Sequence, residues 1–156
     1  MHATKLTALL ALSSVSCERW REVSANGTWP QPRFSHTAVL SVSGEHMIMF
    51  GGNNFDPVNE LFVYNVPCSE WSRIKPGGSP PSKRYGHQSV MTVDGRMVVF
   101  GGYNGTFLND VYELTNGTSK EARWRQVSTT GTAPGGRDGH SADYHQPKRW
   151  GRWKRG

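Results

Sequence analysis

Short apolar runs separated by turn residues are the main pattern along this chain of 156 residues. Two of the runs, HMIMFGG and RMVVFGG, are strongly apolar and end in Gly-Gly, as a buried strand does when it enters a turn. About eight loop residues follow each run, and then comes a second apolar run that contains a tyrosine. No stretch keeps the spacing of three and four residues that an amphipathic helix needs. The pattern therefore predicts an all-β protein.

The same pattern predicts two units of four strands each. Their strands are expected near 36–42, 46–52, 60–66 and 70–75 in the first unit, and near 87–93, 96–102, 110–114 and 123–128 in the second. Ser-Gly and Asp-Gly pairs between the first two strands of each unit supply tight hairpin turns, because glycine tolerates positive φ.

A five-residue signature, Trp-x6-Gly-x2-Pro-x2-Arg-x2-His, recurs three times with unchanged spacing. The copies begin at Trp20, Trp71 and Trp124. We call the Gly-to-His part of each copy the first linker (27–36), the second linker (78–87) and the third linker (131–140). Such self-similarity at a period of roughly 50 residues is typical of repeat architectures, in which each repeat is one supersecondary unit.

The chain resembles the kelch-repeat family of β-propellers at the positions that define a kelch repeat. These positions are Gly51, Gly52, Tyr64 and Trp71, and then Gly101, Gly102, Tyr112 and Trp124. The resemblance covers about residues 18–142 and implies blades of four antiparallel strands. Glycine allows the close turn, while tryptophan and tyrosine fill the wedge between neighbouring sheets.

The expected fold class is therefore an all-β, incomplete kelch-type β-propeller, since a closed propeller needs about four to eight blades. Kelch repeats are expected over 18–145, with complete blades at about 36–76 and 87–128 and partial blades at both ends. Two blades leave sheet faces and edges open, so self-association through the open blade edges is a further expectation.

The two ends of the chain differ from the repeats. Residues 1–17 look either like a signal peptide or like an outer-strand remnant of a preceding blade. The strand interpretation favours a cytoplasmic over a secreted protein, and the compartment stays unknown. Residues 146–156 are basic, lack a strand pattern, and are expected to form a disordered tail.

Net charge adds little to this picture. The formal charge is +6, but five of the 18 basic residues lie in the last nine positions, so the body of the chain is nearly neutral. A basic face for nucleic acid is therefore not expected. No apolar run reaches the roughly 18 residues of a transmembrane helix.

Residues that could carry catalysis or hold a cofactor are not visible. The sequence has no H-x-x-x-H, C-x-x-C or G-x-S-x-G motif, so we expect no enzyme activity, no metal and no cofactor. The alternative is a piece of a galactose-oxidase-like or sugar-isomerising propeller enzyme, which would need residues outside this chain.

Candidate partner contacts fall into two groups. The first is the repeated arginine of the linkers, for which a structural role within each blade is the competing interpretation. The second is the pair of loops after Gly-Gly, which differ in sequence on an otherwise repeated scaffold. Together the candidates are Arg33, Arg84, Arg137, Asn53, Asn54, Phe55, Tyr103, Asn104 and Phe107.

Three Asn-Gly-Thr sequons are candidates for glycosylation, at Asn26, Asn104 and Asn116. Turn chemistry explains Asn-Gly equally well, so a secreted glycosylated ectodomain is only one alternative. The function expected from the sequence is a non-catalytic scaffold that presents its inter-strand loops to a protein partner, as part of a larger propeller.

Overall fold

A computed structural model describes residues 22–145 of the chain. This part contains ten strands in two sheets and no helix, which confirms the all-β prediction. The first sheet consists of β1 Asn26–Gly27, β2 Thr37–Leu40, β3 His46–Phe50, β4 Leu61–Asn65 and β5 Glu70–Ile74. The second sheet consists of β6 Gly77–Gly78, β7 Gln88–Met91, β8 Met97–Phe100, β9 Val111–Thr115 and β10 Arg123–Val127.

Four strands of each sheet form the antiparallel meander that the sequence predicts. The strand order is β1-β5-β4-β3-β2 in the first sheet and β6-β10-β9-β8-β7 in the second. Each sheet therefore runs from an inner strand, β2 or β7, to an outer strand, β5 or β10. The two inner strands lie next to each other.

A fifth strand in each sheet was not expected. The two-residue strand β1 pairs in parallel with β5, placing Gly27 opposite Trp71, and β6 pairs in the same way with β10, placing Gly78 opposite Trp124. The first and second linkers thus each begin by covering the outer edge of the sheet that follows them. A Cβ at Gly27 would overlap the carbonyl oxygen of Trp71, so the repeated glycine allows this close approach.

A second buried cluster, Met49, Phe62, Tyr64 and Trp71, belongs to the first sheet alone, and the larger hydrophobic core lies between the facing surfaces of the two sheets. Its buried members are Ile48, Phe50, Leu61 and Val63 from the first sheet, and Met97, Val99, Leu114, Ala122 and Trp124 from the second. Full burial of a Val, Leu, Ile, Phe or Met side chain contributes roughly 1.5–3 kcal/mol. Since both sheets supply the core, each one depends on the other for its stability.

The two repeat tyrosines do not occupy equivalent places. Tyr64 lies opposite Trp71, whereas Leu114 lies opposite Trp124, and Tyr112 is two residues away from the position of Tyr64. Because side chains alternate between faces with a period of two, both tyrosines still lie on the same side of their sheets. The equivalence drawn from the sequence is wrong by two residues, while the two tryptophans do match.

Candidate functional site

Arg84 of the second linker is buried and fully engaged. Its Nη1 donates to Oδ1 of Asp110 at 2.6 Å and to the Gly101 carbonyl at 2.9 Å, and its Nη2 donates to Oδ2 of Asp110 at 2.9 Å. The guanidinium also lies over the Tyr112 ring, 5.4 Å from its centroid. This bidentate pair fastens the linker to the second sheet. No part of its side chain is exposed, so the sequence candidate Arg84 is engaged within the chain and is not presented at the surface.

Arg33 repeats this arrangement in the first sheet. Its Nη2 donates to Oε2 of Glu60 at 2.8 Å, and its Nη1 donates to the Gly51 carbonyl at 3.3 Å. Its side chain is only 2% exposed, so the sequence candidate Arg33 is likewise engaged within the chain. Arg137 differs, because it is exposed and its Nε donates to the carbonyl of Gly135, within its own linker.

The pKa values of all three linker histidines are lowered. His87 lies buried between the sheets with Nε2 at 2.9 Å from Oγ1 of Thr37. Burial, followed by the nearby Arg84 guanidinium, lowers the pKa of His87 to about 3. Burial is also the main cause that lowers the pKa of His36 and of His140. The buried His87 side chain is therefore a neutral group of the scaffold at pH 7.

Each loop after Gly-Gly is tied to the preceding linker by a pair of backbone hydrogen bonds. Phe34 and Asn53 exchange two such bonds, of 3.0 and 2.9 Å, and Tyr85 and Tyr103 exchange two of 3.1 and 2.9 Å. Loop and linker therefore form one surface at the same end of the sheets. Because their backbones are bonded to each other, this surface is preorganised.

Four aromatic side chains follow one another across this surface, and we call them the aromatic row. They are Phe34, Tyr85, Tyr103 and Phe107, with successive ring centroids 6.4, 5.7 and 5.2 Å apart. Phe34 and Phe107 are each 61% exposed, and both tyrosines are half-buried. Tilted rings at these separations attract one another, so the row is a cohesive apolar surface that remains open to solvent.

Phe55 stands at the tip of the first loop. Its side chain is fully exposed, and its φ of 93° is rare for a residue other than glycine. Its backbone N–H donates to Oδ1 of Asn53 at 3.0 Å, which is an Asx turn. The adjacent Asn54 is half-buried and donates its backbone N–H to the carbonyl of Asp56. The candidate asparagines of this loop thus build the turn that holds Phe55 in solvent.

Asn104 has a similar part in the second loop. Its Oδ1 accepts a bond from Oγ1 of Thr106 at 3.2 Å, and its Nδ2 donates to Oγ of Ser82 at 3.1 Å. The second loop is thereby connected to the second linker through side chains as well as through backbone. Of the sequence candidates, the structure brings Tyr103, Asn104 and Phe107 together on this loop.

Phe34 and Tyr85 belong to the surface but were not among the sequence candidates. Both directly follow the repeated arginine of their linkers, where the third linker has Asp138. A variable position next to a repeated one is the signal that could have identified them, because variation on a repeated scaffold is where specificity usually resides.

Other expectations meet the structure only in part. The sequon residues Asn26, Asn104 and Asn116 are all exposed, and glycosylation there stays a prediction. Within residues 22–145, no group of three potential metal ligands lies together, and no helix is long and apolar enough to cross a membrane. The interpretations of 1–17 as a signal-like segment or strand remnant, and of 146–156 as a tail, lie outside the described residues.

Comparison with known proteins shows which family this chain is similar to. Residues 3–150 match the family model described as the KLHDC2/KLHL20/DRC7 Kelch-repeats domain. Similar proteins include the host cell factor homolog hcf-1 of Caenorhabditis elegans, 34% identical over 79% of this chain. Adagio-like protein 3 of Oryza sativa subsp. japonica is 34% identical over 77% of this chain.

A third relative is the tip elongation aberrant protein 1 of Schizosaccharomyces pombe, 29% identical over 83% of this chain. The aligned region is 12% of that protein, 16% of the hcf-1 homolog and 19% of the adagio-like protein. The chain therefore spans less than a fifth of the length of each of these relatives.

Proposed function

This chain belongs to the kelch-repeat family, and from that premise we propose that it is a non-catalytic module that binds a protein partner through the aromatic row and Phe55. Kelch-repeat domains typically mediate protein–protein interaction, which gives the general class of function. The observation that carries the specific proposal is the exposed run of rings on loops and linkers whose backbones are bonded to each other.

The composition of this surface suits a protein interface. Aromatic residues are enriched at the centres of interfaces, where they bury a large area with few rotatable bonds. Phe55 loses the most water on binding, because its side chain is fully exposed in the free chain. The paired backbones keep the ordering cost of binding low.

The test is a combined substitution of Phe55→Ala, Tyr103→Ala and Phe107→Ala. A matched control replaces Val42 and Val93 by alanine, because both are exposed and lie in the hairpin turns at the opposite ends of the strands. Proximity labelling with the wild-type chain first identifies partners, and calorimetry with a purified partner then measures affinity.

The loop variant should bind the partner at least roughly 30-fold more weakly, as expected when an interface loses anchors worth about 2 kcal/mol or more. The control variant should bind as the wild type does. Both variants should keep the wild-type circular dichroism spectrum. Equal binding by the loop variant, or an equal loss in the control variant, would contradict the proposal.

A further inference from the structure

The tripeptide Asn-Gly-Thr occurs three times in the chain, beginning at Asn26, Asn104 and Asn116. All three asparagines are exposed. An asparagine followed by glycine is prone to deamidate without an enzyme, because glycine has no side chain to keep the asparagine amide away from its backbone nitrogen. Since the three tripeptides are identical, their reactivities are matched in the unfolded chain. Differences between them in the folded chain therefore come from the structure.

Deamidation of an Asn-Gly pair is a ring closure followed by hydrolysis. The glycine N–H loses its proton to solvent and the nitrogen attacks Cγ of the asparagine, so that an N–Cγ bond forms and Oδ1 becomes an oxyanion. The Cγ–Nδ2 bond then breaks, and Nδ2 takes up a solvent proton and leaves as ammonia. Water opens the resulting five-membered imide at either carbonyl, which gives aspartate or isoaspartate. The reaction needs a peptide that can rotate and a Cγ close to the glycine nitrogen.

The pair at Asn26 is held by strand pairing on both sides. The Asn26 N–H donates to the Ser69 carbonyl at 2.9 Å. On the other side, the Thr28 N–H donates to the Trp71 carbonyl at 2.7 Å. Gly27 lies between these two bonds, in close contact with the Trp71 carbonyl oxygen. Because its peptide cannot rotate without breaking the pairing of β1 with β5, ring closure at Asn26 is hindered in the folded chain.

The pair at Asn116 is held in a turn and against the core. The Asn116 carbonyl accepts two hydrogen bonds from Ser119, from its N–H at 3.0 Å and from its Oγ at 3.2 Å. Gly117 is buried, and a Cβ on it would lie 2.9 Å from the Leu114 side chain and 3.0 Å from that of Ile48. Rotation of this peptide breaks both bonds and disturbs the core, so ring closure is hindered here as well.

The pair at Asn104 has more freedom. Gly105 lies in the exposed second loop, and a Cβ on it would meet nothing within 4 Å in the part of the chain that the structure describes. Among residues 22–145, the Gly105 N–H has no hydrogen-bond acceptor, and the Asn104 N–H makes only a long bond of 3.3 Å to the Thr106 carbonyl. The nitrogen that must attack is therefore unengaged, and space for the ring is open around it.

The second loop also prepares the Asn104 amide for attack. Oδ1 of Asn104 accepts hydrogen bonds from the Thr106 N–H at 3.4 Å and from Oγ1 of Thr106 at 3.2 Å. This Asx turn folds the side chain back over the intervening peptide, which brings Cγ towards the Gly105 nitrogen. Both donors point at the oxygen on which negative charge develops during ring closure, and donors in that position stabilise an oxyanion.

We propose that Asn104 is a self-deamidation site of the folded protein, in which Gly105 supplies the attacking nitrogen and Thr106 the oxyanion donors. The product carries one negative charge more than the asparagine. In its isoaspartate form it also lengthens the backbone by one carbon atom between Tyr103 and Phe107, whose rings are neighbours in the aromatic row. The assignment of this site does not depend on the proposed function of that row.

The experiment follows all three pairs in one sample of the full chain by peptide mapping and mass spectrometry during incubation at mildly alkaline pH. In the folded chain, Asn104 should convert at least roughly tenfold faster than Asn26 or Asn116. In concentrated guanidinium chloride, the three should convert at similar rates, because their tripeptides are identical. Equal rates in the folded chain, or a faster reaction at Asn26 or Asn116, would overturn the proposal. The same order of rates with and without denaturant would also overturn it, because the local sequence would then set the order.

Thr106→Val tests the oxyanion donors, because it keeps the shape of an exposed side chain and removes Oγ1. In the folded chain it should slow the conversion of Asn104 by roughly fivefold, the effect of losing one hydrogen bond of ordinary strength. Thr118→Val is the matched control at the same place in the Asn116 tripeptide, and it should leave the conversion of Asn104 unchanged. No effect of Thr106→Val, or an equal effect in guanidinium chloride, would contradict the role of the second loop.

Discussion

Arg84 shows how one side chain can join a linker to a sheet and leave nothing for a partner. It is a repeated residue, and its side chain meets Asp110 just as that of Arg33 meets Glu60, whereas Arg137 is exposed and has no acid partner among the described residues. The repetition in the sequence singles out this arginine as a residue with a role. Whether that role is to contact a partner or to hold the linker to the sheet depends on its burial, which only the structure shows.

Replacement of Arg84 by alanine should destabilise the chain severely. It leaves the carboxylate of Asp110 without its cation, and breaking such a pair costs roughly 3–5 kcal/mol. Urea unfolding followed by tryptophan fluorescence measures this loss. Arg137→Ala is the matched control and should change the free energy of unfolding by less than about 0.5 kcal/mol. Equal losses in the two variants would show that burial of Arg84 is not what stabilises the linker.

His87 should make the fold sensitive to acid. In the unfolded chain its ring takes up a proton near its ordinary pKa of 6.5, whereas in the folded chain its pKa is about 3. Between these values the unfolded state binds more protons, so the free energy of unfolding decreases by up to about 1.4 kcal/mol for each unit by which the pH is lowered. Above pH 6.5 the ring is neutral in both states, so the free energy of unfolding no longer depends on the titration of His87.

Urea unfolding of the wild type and of His87→Gln at pH 7.5, 5.5 and 4.5 checks this dependence. The variant has no ring to titrate, so its stability should fall less steeply than that of the wild type below pH 6.5. The same slope in both proteins would assign the acid sensitivity to other groups.

At the scale of elements, the strands with an alternating or continuous apolar pattern could be predicted, and the shortest strands could not. Strands β1 and β6 consist of Asn-Gly and Gly-Gly, which carry no strand pattern and pair only because a tryptophan strand lies beside them. The repeated glycine was visible in the sequence as a linker residue. Its role as an edge strand depends on a partner more than forty residues away.

Some residues of the candidate site could likewise be identified from the sequence, and others could not. Phe55, Tyr103 and Phe107 were found from the sequence because they lie in variable loops after a repeated turn. Phe34 and Tyr85 were missed because the linkers were interpreted through their repeated arginine and histidine. Only the backbone pairing of loop with linker puts these rings on one surface.

Gly78→Ala should weaken the edge of the second sheet. A Cβ at this position would overlap the Trp124 carbonyl oxygen, so β6 must move away from β10. Gly95→Ala is the control, because Gly95 has the same φ of 81° but open space around it. Thermal unfolding should show that Gly78→Ala lowers the free energy of unfolding by roughly 2 kcal/mol more than Gly95→Ala does. Similar losses would mean that backbone strain alone, and not the strand pairing, selects glycine here.

For the whole molecule, the shared core predicts that the two sheets unfold together. Ile48→Ala removes a buried side chain of the first sheet and should cost about 2–5 kcal/mol. Hydrogen exchange should report the same loss of protection in β4 and in β9, because neither sheet has a core of its own on that side. Leu40→Ala, at an exposed position, is the control. A loss confined to the first sheet would show that the sheets are independent units.

The first and second linkers each pair in parallel with the outer strand of the sheet that follows them. This pairing restricts the positions at which the gene can be duplicated without breaking a sheet. A tandem duplication that copies Gly77 to Val127 inserts a whole sheet together with β6, the short strand that covers its outer edge. A duplication that begins between Gly78 and Arg84 instead leaves β6 out of the copied segment. The outer strand of the new copy is then an unpaired edge that is prone to aggregate. Growth of this protein by recombination should therefore favour junctions immediately after the tryptophan strand.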